Sequence, residues 1–132
     1  MKVLIIDDLE SKARSIERCF NNLNITDVSI EATRNTGLIS IETQIKNGTP
    51  YDLIVCDMQM PNMINGMISP KAGLHVLHSL SIRKINTPVI MCSSDKLDDL
   101  SEYENVIGSI HYNYSVDHTS DIEKLLKSLP EK

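Results

Sequence analysis

The sequence is poor in the residues that mark several protein classes. Its 132 residues include no tryptophan, one phenylalanine and three cysteines. The cysteines are Cys19, Cys56 and Cys92, which are odd in number and lack the paired spacings of zinc sites. The apolar runs are far shorter than the ~20 residues of a membrane span, and the N-terminal run is too short for a signal peptide. These absences favour a cytoplasmic protein with buried, reduced thiols.

Basic residues are also scarce relative to acidic ones. The chain has 13 Lys and Arg against 18 Asp and Glu, giving a net charge of −5 and a pI near 5.3. A negative surface of this kind is badly suited to nucleic acid or an anionic membrane. We therefore expect no direct nucleic-acid partner and no membrane partner.

The length and apolar content predict one compact domain. A chain of 132 residues with 41% hydrophobic residues can bury a substantial core without disulfides. We found no internal repeat, low-complexity tract or Gly/Ser linker that would mark a boundary. We predict a single domain over residues 1–130 with no output domain.

Apolar runs and helical spacings alternate along the chain. Strands are predicted at residues 2–6, 28–32, 52–56, 88–92 and 106–112. Helices are predicted around residues 9–23, 38–45, 73–83, 96–105 and 120–129, the fourth of them weak and polar. Ser120 and Glu123 have the spacing of a capping box at the start of the last helix.

This alternation predicts an α/β fold with a doubly wound, five-stranded parallel sheet and helices on both faces. Parallel strands need crossover connections, which helices supply with a right-handed path. Ligands bind such sheets outside the carboxyl ends of the strands. The chemistry is therefore expected at residues that directly follow strands.

Acids and hydroxyls follow the predicted strands. Asp7 and Asp8 follow the first, Asp57 the third, and Ser93 and Ser94 the fourth. Carboxylates brought to one crevice repel each other, and a hard divalent cation relieves this repulsion, so we predict an Mg²⁺ site. A carboxylate beside Mg²⁺ can also act as a nucleophile toward a phosphoryl group, and Asp57 is the central candidate.

Three sequence blocks resemble the receiver domain of two-component response regulators. KVLIIDD is similar to the family's first strand and acidic pair, DLIVCDMQMP to its phosphoacceptor segment, and PVIMCSSD to its fourth strand and switch hydroxyl. The resemblance covers nearly the whole chain. It implies a CheY-like, flavodoxin-like fold with strand order 2-1-3-4-5, and a stand-alone phosphorylation switch whose only catalysis is its own phosphorylation and dephosphorylation.

The resemblance also implies residue roles. Asp57 would accept a phosphoryl group from a histidine kinase or histidine phosphotransfer protein. Asp8, Asp57 and the backbone carbonyl of Gln59 would bind Mg²⁺ directly, and Asp7 would do so through water. These further roles are implied: Ser93 as switch hydroxyl, Ser94 as backbone N–H donor to the phosphoryl group, and Gln59 and Asp95 as residues that tune its lifetime.

The end of the fifth strand departs from the family pattern. Receivers usually have a Lys-Pro pair there, whereas this chain reads SIHYNYSVD. Asn113 is the best occupant of the lysine position, with Tyr112 or Tyr114 as alternatives one register away. Lys71 and Lys96 are candidates to supply the missing charge from nearby loops. Likewise Ile110 occupies the expected register of the switch aromatic, with His111 and Tyr112 beside it.

The segment after Asp57 is longer than the usual family loop and contains Met58, Met60, Met63 and Met67. Long loops inside compact domains are often functional, and methionine-rich surfaces suit partner binding. A docking surface is one interpretation, and a loop whose methionines pack back onto the domain is the other.

Several functions are compatible with these residues. The leading hypothesis is a receiver that signals to a downstream protein, as a phosphorelay intermediate, a diffusible regulator or part of a longer polypeptide. Docking or a homodimer would use the face formed by the fourth helix, fifth strand and fifth helix. The main alternative is a pseudo-receiver that binds partners without phosphorylation. An Mg²⁺-dependent phosphatase and a flavin carrier fit less well, because each needs a different set of residues after the first strand.

Overall fold

Five parallel strands form the central sheet of the computed structural model, which describes residues 1–95, 97 and 99–129. In chain order the elements are β1 (Lys2–Ile6), α1 (Glu10–Asn22), β2 (Asp27–Glu31), α2 (Arg34–Lys46), β3 (Leu53–Cys56), β4 (Met60–Pro61), β5 (Ile68–Ser69), α3 (Ala72–Ile82), β6 (Val89–Ser93), β7 (Val106–His111) and α4 (Thr119–Leu126). The sheet order is β2-β1-β3-β6-β7. The predicted doubly wound fold is confirmed, with β6 and β7 as the predicted fourth and fifth strands.

Helices cover both faces of the sheet. Side chains alternate along each strand, so in β1 Val3 and Ile5 face α1 and α4, while Leu4 and Ile6 face α2 and α3. The central strands β1, β3 and β6 are almost wholly buried. This double burial explains why they were recognisable as continuous apolar runs.

The predicted fourth helix is not found. Of residues 96–105, Lys96 and Asp98 lie outside the described residues, and the others form turns and irregular backbone. The stretch is polar and packs on the core through Leu97, Leu100 and Tyr103, which is too little apolar surface to hold a helix on the sheet. The described part of the chain therefore has four α-helices. None of these is long and apolar enough to cross a membrane.

The helix ends differ from the predicted caps. The capping box predicted at Ser120 is absent, because α4 starts at Thr119 and its N-cap is His118, two positions before Ser120. Asp117 fixes this start by accepting hydrogen bonds from the Thr119 backbone N–H at 2.9 Å and hydroxyl at 2.6 Å. A capping box does occur at the start of α2, between Thr33 and Thr36. There Thr36 takes the place of the usual Glu or Gln, which hid the motif in the sequence.

The methionine-rich segment forms a small hairpin, in which β4 and β5 pair antiparallel. Met58 and Met60 are buried in the core below α3. Met63 and Met67 are exposed, Met67 to 91% of its surface. Each interpretation therefore holds for half of the four methionines, since two pack back onto the domain and two face outward.

The three cysteines are free and buried, as predicted. Burial raises the pKa of all three thiols, that of Cys92 to about 12. The thiolate is the reactive form of cysteine, so a raised pKa makes a thiol inert near neutral pH.

We expect the folded protein to resist alkylation. Iodoacetamide at neutral pH should add no group to the native chain over a time in which the guanidinium-unfolded chain gains three, as read by intact-protein mass. Rapid native modification at Cys56 or Cys92 would contradict their burial in the closed core.

Candidate functional site

Three carboxylates meet at the carboxyl edge of the sheet. Asp7 and Asp8 follow β1 and Asp57 follows β3, two strands that are hydrogen-bonded neighbours. One carboxylate oxygen from each lies within 4.8 Å of the others. The convergence predicted from the strand ends is therefore present, and its oxygen ligands are those that Mg²⁺ prefers.

A buried lysine from α1 enters the same site. Lys12 Nζ lies 2.8 Å from Asp7 Oδ2 and 3.3 Å from Asp57 Oδ1. It also donates a hydrogen bond of 2.8 Å to the backbone carbonyl of Cys92, on β6. Lys12 is only 3% exposed. Its ammonium therefore links the ends of β1, β3 and β6.

Sequence reasoning missed Lys12, although a signal was present. The buried side of α1 includes Lys12, Ile16 and Cys19, at helical steps of four and three residues. A lysine in a buried stripe is rare unless its charge is paired. The spacing could therefore have indicated a buried carboxylate partner.

The charge on Lys12 is maintained by its neighbours. Burial alone would lower the pKa of Lys12, but Asp7 and Asp57 outweigh burial and raise the pKa above 10.5. The helix dipole works against a cation in the first turn, so the carboxylates also offset that effect. Lys12 is consequently protonated and positively charged near neutral pH.

Asp57 lies in a confined environment. Burial raises its pKa above the ordinary 3.8, while Lys12 and the backbone N–H groups of Met58 and Gln59 offset part of the rise. The Met58 N–H donates to Asp57 Oδ1 at 2.8 Å. These contacts fix the carboxylate at the end of β3.

The two serines at the end of β6 border the site. Ser93 is buried, and its Oγ accepts a hydrogen bond from the Asp95 N–H at 3.2 Å. Ser94 lines a surface cavity of about 590 Å³ together with Lys12. Gln59 and Asp95 are exposed.

The aromatic side chain beside the site does not come from position 110, the expected register of the switch aromatic. Ile110 is buried in the core, and His111 is exposed with Nε2 2.9 Å from the Ser94 carbonyl. Tyr112 is the aromatic residue that meets the site, with Lys12 Nζ 5.6 Å from its ring centroid, within range of a cation–π contact.

Asn113 does not direct its side chain to the acids. It is exposed, and its Oδ1 accepts hydrogen bonds from the Ser115 N–H at 3.0 Å and hydroxyl at 2.7 Å. It nevertheless lines the same cavity as Lys12. Lys71 is exposed at the start of α3, and Lys96 lies outside the described residues.

A buried histidine anchors the loop after β7. His118 Nε2 accepts a hydrogen bond from the Asn113 N–H at 3.1 Å, so the neutral ring carries its proton on Nδ1, 3.0 Å from Asp121 Oδ2. The Tyr112 ring packs against the His118 ring, with 5.5 Å between the ring centroids. These contacts fix the loop at the position where the family has Lys-Pro.

Comparison with known proteins agrees with this geometry. The family model for the response regulator receiver domain matches residues 3–129. The chain belongs to this family. The receiver assignment covers both the sheet and the acidic site, and it places the chain in two-component signalling.

Relatives of known sequence or structure are similar to this receiver. The cell cycle transcriptional regulator CtrA of Caulobacter vibrioides is 32% identical over 103 residues, which are 74% of this chain and 37% of CtrA. The receiver domain of Francisella response regulator 1452 is 25% identical, with a TM-score of 0.63 and 96% of each chain covered. A CheY-like receiver protein of Methanospirillum hungatei is 22% identical, with a TM-score of 0.66, covering 96% of this chain and 94% of that one. The receiver thus spans about 37% of the length of the curated relative.

Proposed function

We propose that this receiver accepts a phosphoryl group on Asp57 and signals through contacts with other proteins. The convergence of Asp7, Asp8 and Asp57 within 4.8 Å at the carboxyl edge carries the proposal. Phosphoryl transfer depends mainly on positioning the reacting groups and on neutralising their charge. The buried Asp57 carboxylate provides a fixed position, and the neighbouring carboxylates can bind the cation that neutralises the charge.

The donor set fits Mg²⁺. If all are ionised, three carboxylates face the single ammonium of Lys12 in the described site, which leaves two negative charges for a divalent cation to balance. Asp8, Asp57 and the Gln59 backbone carbonyl would hold the ion, with Asp7 acting through water. Bound Mg²⁺ supplies charge neutralisation for the phosphoryl oxygens.

Groups of the protein itself supply the nucleophile and the hydrogen bonds to the phosphoryl group. The Asp57 carboxylate attacks phosphorus, and the Met58 N–H at 2.8 Å from Oδ1 orients it. The Ser93 hydroxyl and the Ser94 backbone N–H would donate hydrogen bonds to phosphoryl oxygens. Transfer to Asp57 and later hydrolysis would be the only reactions that the domain catalyses.

Partners follow from the same proposal. The donor would be a histidine kinase or a histidine phosphotransfer protein, and the output would be a protein target. The outward face of β7 and α4, with the turns before β7, is the surface proposed for docking or homodimer formation. Three free buried thiols suit a reducing compartment, so we also propose a cytoplasmic location.

Intact-protein mass spectrometry tests this function. After incubation with Mg²⁺ and acetyl phosphate, sampled at short times, we expect a single phosphoryl adduct that is absent when EDTA is added. Beryllofluoride, which mimics an aspartyl phosphate, should bind with Mg²⁺ and shift the thermal melting temperature upward. A wild-type chain with neither adduct nor beryllofluoride binding would overturn the proposal and favour constitutive partner binding.

A further inference from the structure

We propose that Lys12, on α1, supplies the positive charge that binds the phosphoryl group on Asp57. This inference rests on the proposed function. It assigns to a helix residue the charge that the SIHYNYSVD segment lacks.

The position of Lys12 is the first support. Its three N–H groups match three acceptors, at 2.8 Å on Asp7, 3.3 Å on Asp57 and 2.8 Å on the Cys92 carbonyl. The ammonium therefore already touches the carboxylate that would be phosphorylated. It also contacts the strand residue next to Ser93, the candidate switch hydroxyl.

Burial is the second support. The side chain is enclosed, so water screens the attraction between its charge and a phosphoryl group only weakly. A purely structural role explains this placement poorly, because replacing buried ion pairs with apolar residues is often neutral or stabilising. A function that needs a fixed cation beside Asp57 gives the lysine a reason to be there.

The transfer step increases the need for this charge. With acetyl phosphate, the bond between phosphorus and the acetyl oxygen breaks, and its electron pair leaves on acetate. A bond forms between an Asp57 oxygen and phosphorus, so one carboxylate charge becomes an acyl phosphate with about two. Lys12 keeps its protons and shifts a hydrogen bond from the carboxylate to a phosphoryl oxygen.

The loop after β7 offers no such charge in its present form. The Asn113 carboxamide oxygen is engaged by Ser115, and a neutral amide cannot neutralise a phosphoryl group. Because Asn113 and Lys12 line one cavity of about 590 Å³, a lysine introduced at position 113 would place a positive charge in the cavity that Lys12 borders. This geometry provides a rescue experiment.

The test uses Lys12→Met, which keeps most of the apolar stem and removes the charge. We expect the rate of adduct formation with Mg²⁺ and acetyl phosphate, and the affinity for beryllofluoride, to fall at least about tenfold. Lys46→Met removes the same charge at the C-terminal end of α2 and should leave both values unchanged. Thermal melting confirms that each variant is folded, and Lys12→Gln, which keeps a donor for the Cys92 carbonyl, replaces Lys12→Met if that variant does not fold.

A rescue variant distinguishes the role of the Lys12 charge from a purely structural role of the side chain. Lys12→Met combined with Asn113→Lys should recover a large part of the lost rate, which a merely structural role for Lys12 would not explain. If the wild type forms the adduct and Lys12→Met matches it within about twofold, the inference is wrong and the proposed function stands. If the wild type neither forms the adduct nor binds beryllofluoride, the proposed function itself fails.

Discussion

Replacing Asp57 with asparagine should abolish the phosphoryl adduct and leave the fold intact. The amide has nearly the same shape as the carboxylate but is a far weaker nucleophile, and it cannot hold the charge that the site needs. Intact mass after treatment with Mg²⁺ and acetyl phosphate measures the effect. Asp27→Asn, an exposed substitution at the start of β2, removes the same charge and should leave the adduct unchanged. An adduct on the Asp57→Asn chain would place the phosphoacceptor elsewhere.

The Asp57→Asn variant should also show a defined pH dependence of stability. Burial raises the pKa of Asp57 above 3.8, so folding disfavours the charged carboxylate. A group of this kind contributes stability that is present at low pH and is lost as the pH rises through its folded pKa. In EDTA near neutral pH, the variant should therefore melt at or above the wild-type temperature, and the difference should shrink as the pH falls through the raised pKa of folded Asp57 toward 3.8. A lower melting temperature at neutral pH would show that the attraction to Lys12 outweighs burial.

The central strands and their acids could be predicted from the sequence for one physical reason. Strands covered on both faces need continuous apolar residues, and β1 and β3 each end abruptly at an aspartate. The strand order that the family resemblance implies makes β1 and β3 neighbours, and their parallel pairing brings Asp7 and Asp57 together. The acidic half of the site is thus encoded locally, in short stretches of sequence.

The cationic half of the site depends on contacts that are distant in sequence. Lys12 and the Cys92 carbonyl are 80 positions apart, and no local pattern links them. The sequence alone points to Lys71 and Lys96, in loops predicted near the site, as substitutes for the missing lysine. The packing of α1 over the edge of the sheet brings Lys12 to the acids, and this packing is a property of the whole fold.

The predictions of a fourth helix and of a capping box at Ser120 were wrong because the local sequence preference and the tertiary contacts favour different structures there. The polar stretch of residues 96–105 has helical spacing but little apolar surface to bury, and its described residues form turns. At α4, the Asp117 carboxylate fixes the chain before Ser120 is reached, so a favourable capping pattern remains unused. By contrast, the helix predicted at 73–83 lies within one residue of the observed bounds of α3, since leucines recur along its buried side.

Gly73→Ala should both destabilise the protein and impair phosphorylation. Gly73 lies in the first turn of α3, where an added Cβ would sit 2.5 Å from the Asp57 carbonyl oxygen and 2.8 Å from Met58 Cα. Alanine gains about 1 kcal/mol of helix propensity over glycine, but backbone atoms at these distances cannot give way as a side chain would. We expect a net loss of about 2–3 kcal/mol in the free energy of unfolding, measured by urea titration.

Its effect on the adduct follows from the same contact. The Gly73 N–H donates to the Met58 carbonyl at 2.9 Å, so a displaced helix start would shift the segment that holds Asp57. A displacement of about 1 Å in a reacting group can slow a reaction by up to about a hundredfold, and we expect at least a tenfold slower adduct formation in the folded fraction. Gly108→Ala is the matched control, because the atoms nearest to its Cβ belong to the flexible Leu125 side chain rather than to backbone, and it should cost less than about 1 kcal/mol. Equal effects of the two substitutions would mean that the close approach of α3 to the phosphoacceptor segment does not position Asp57.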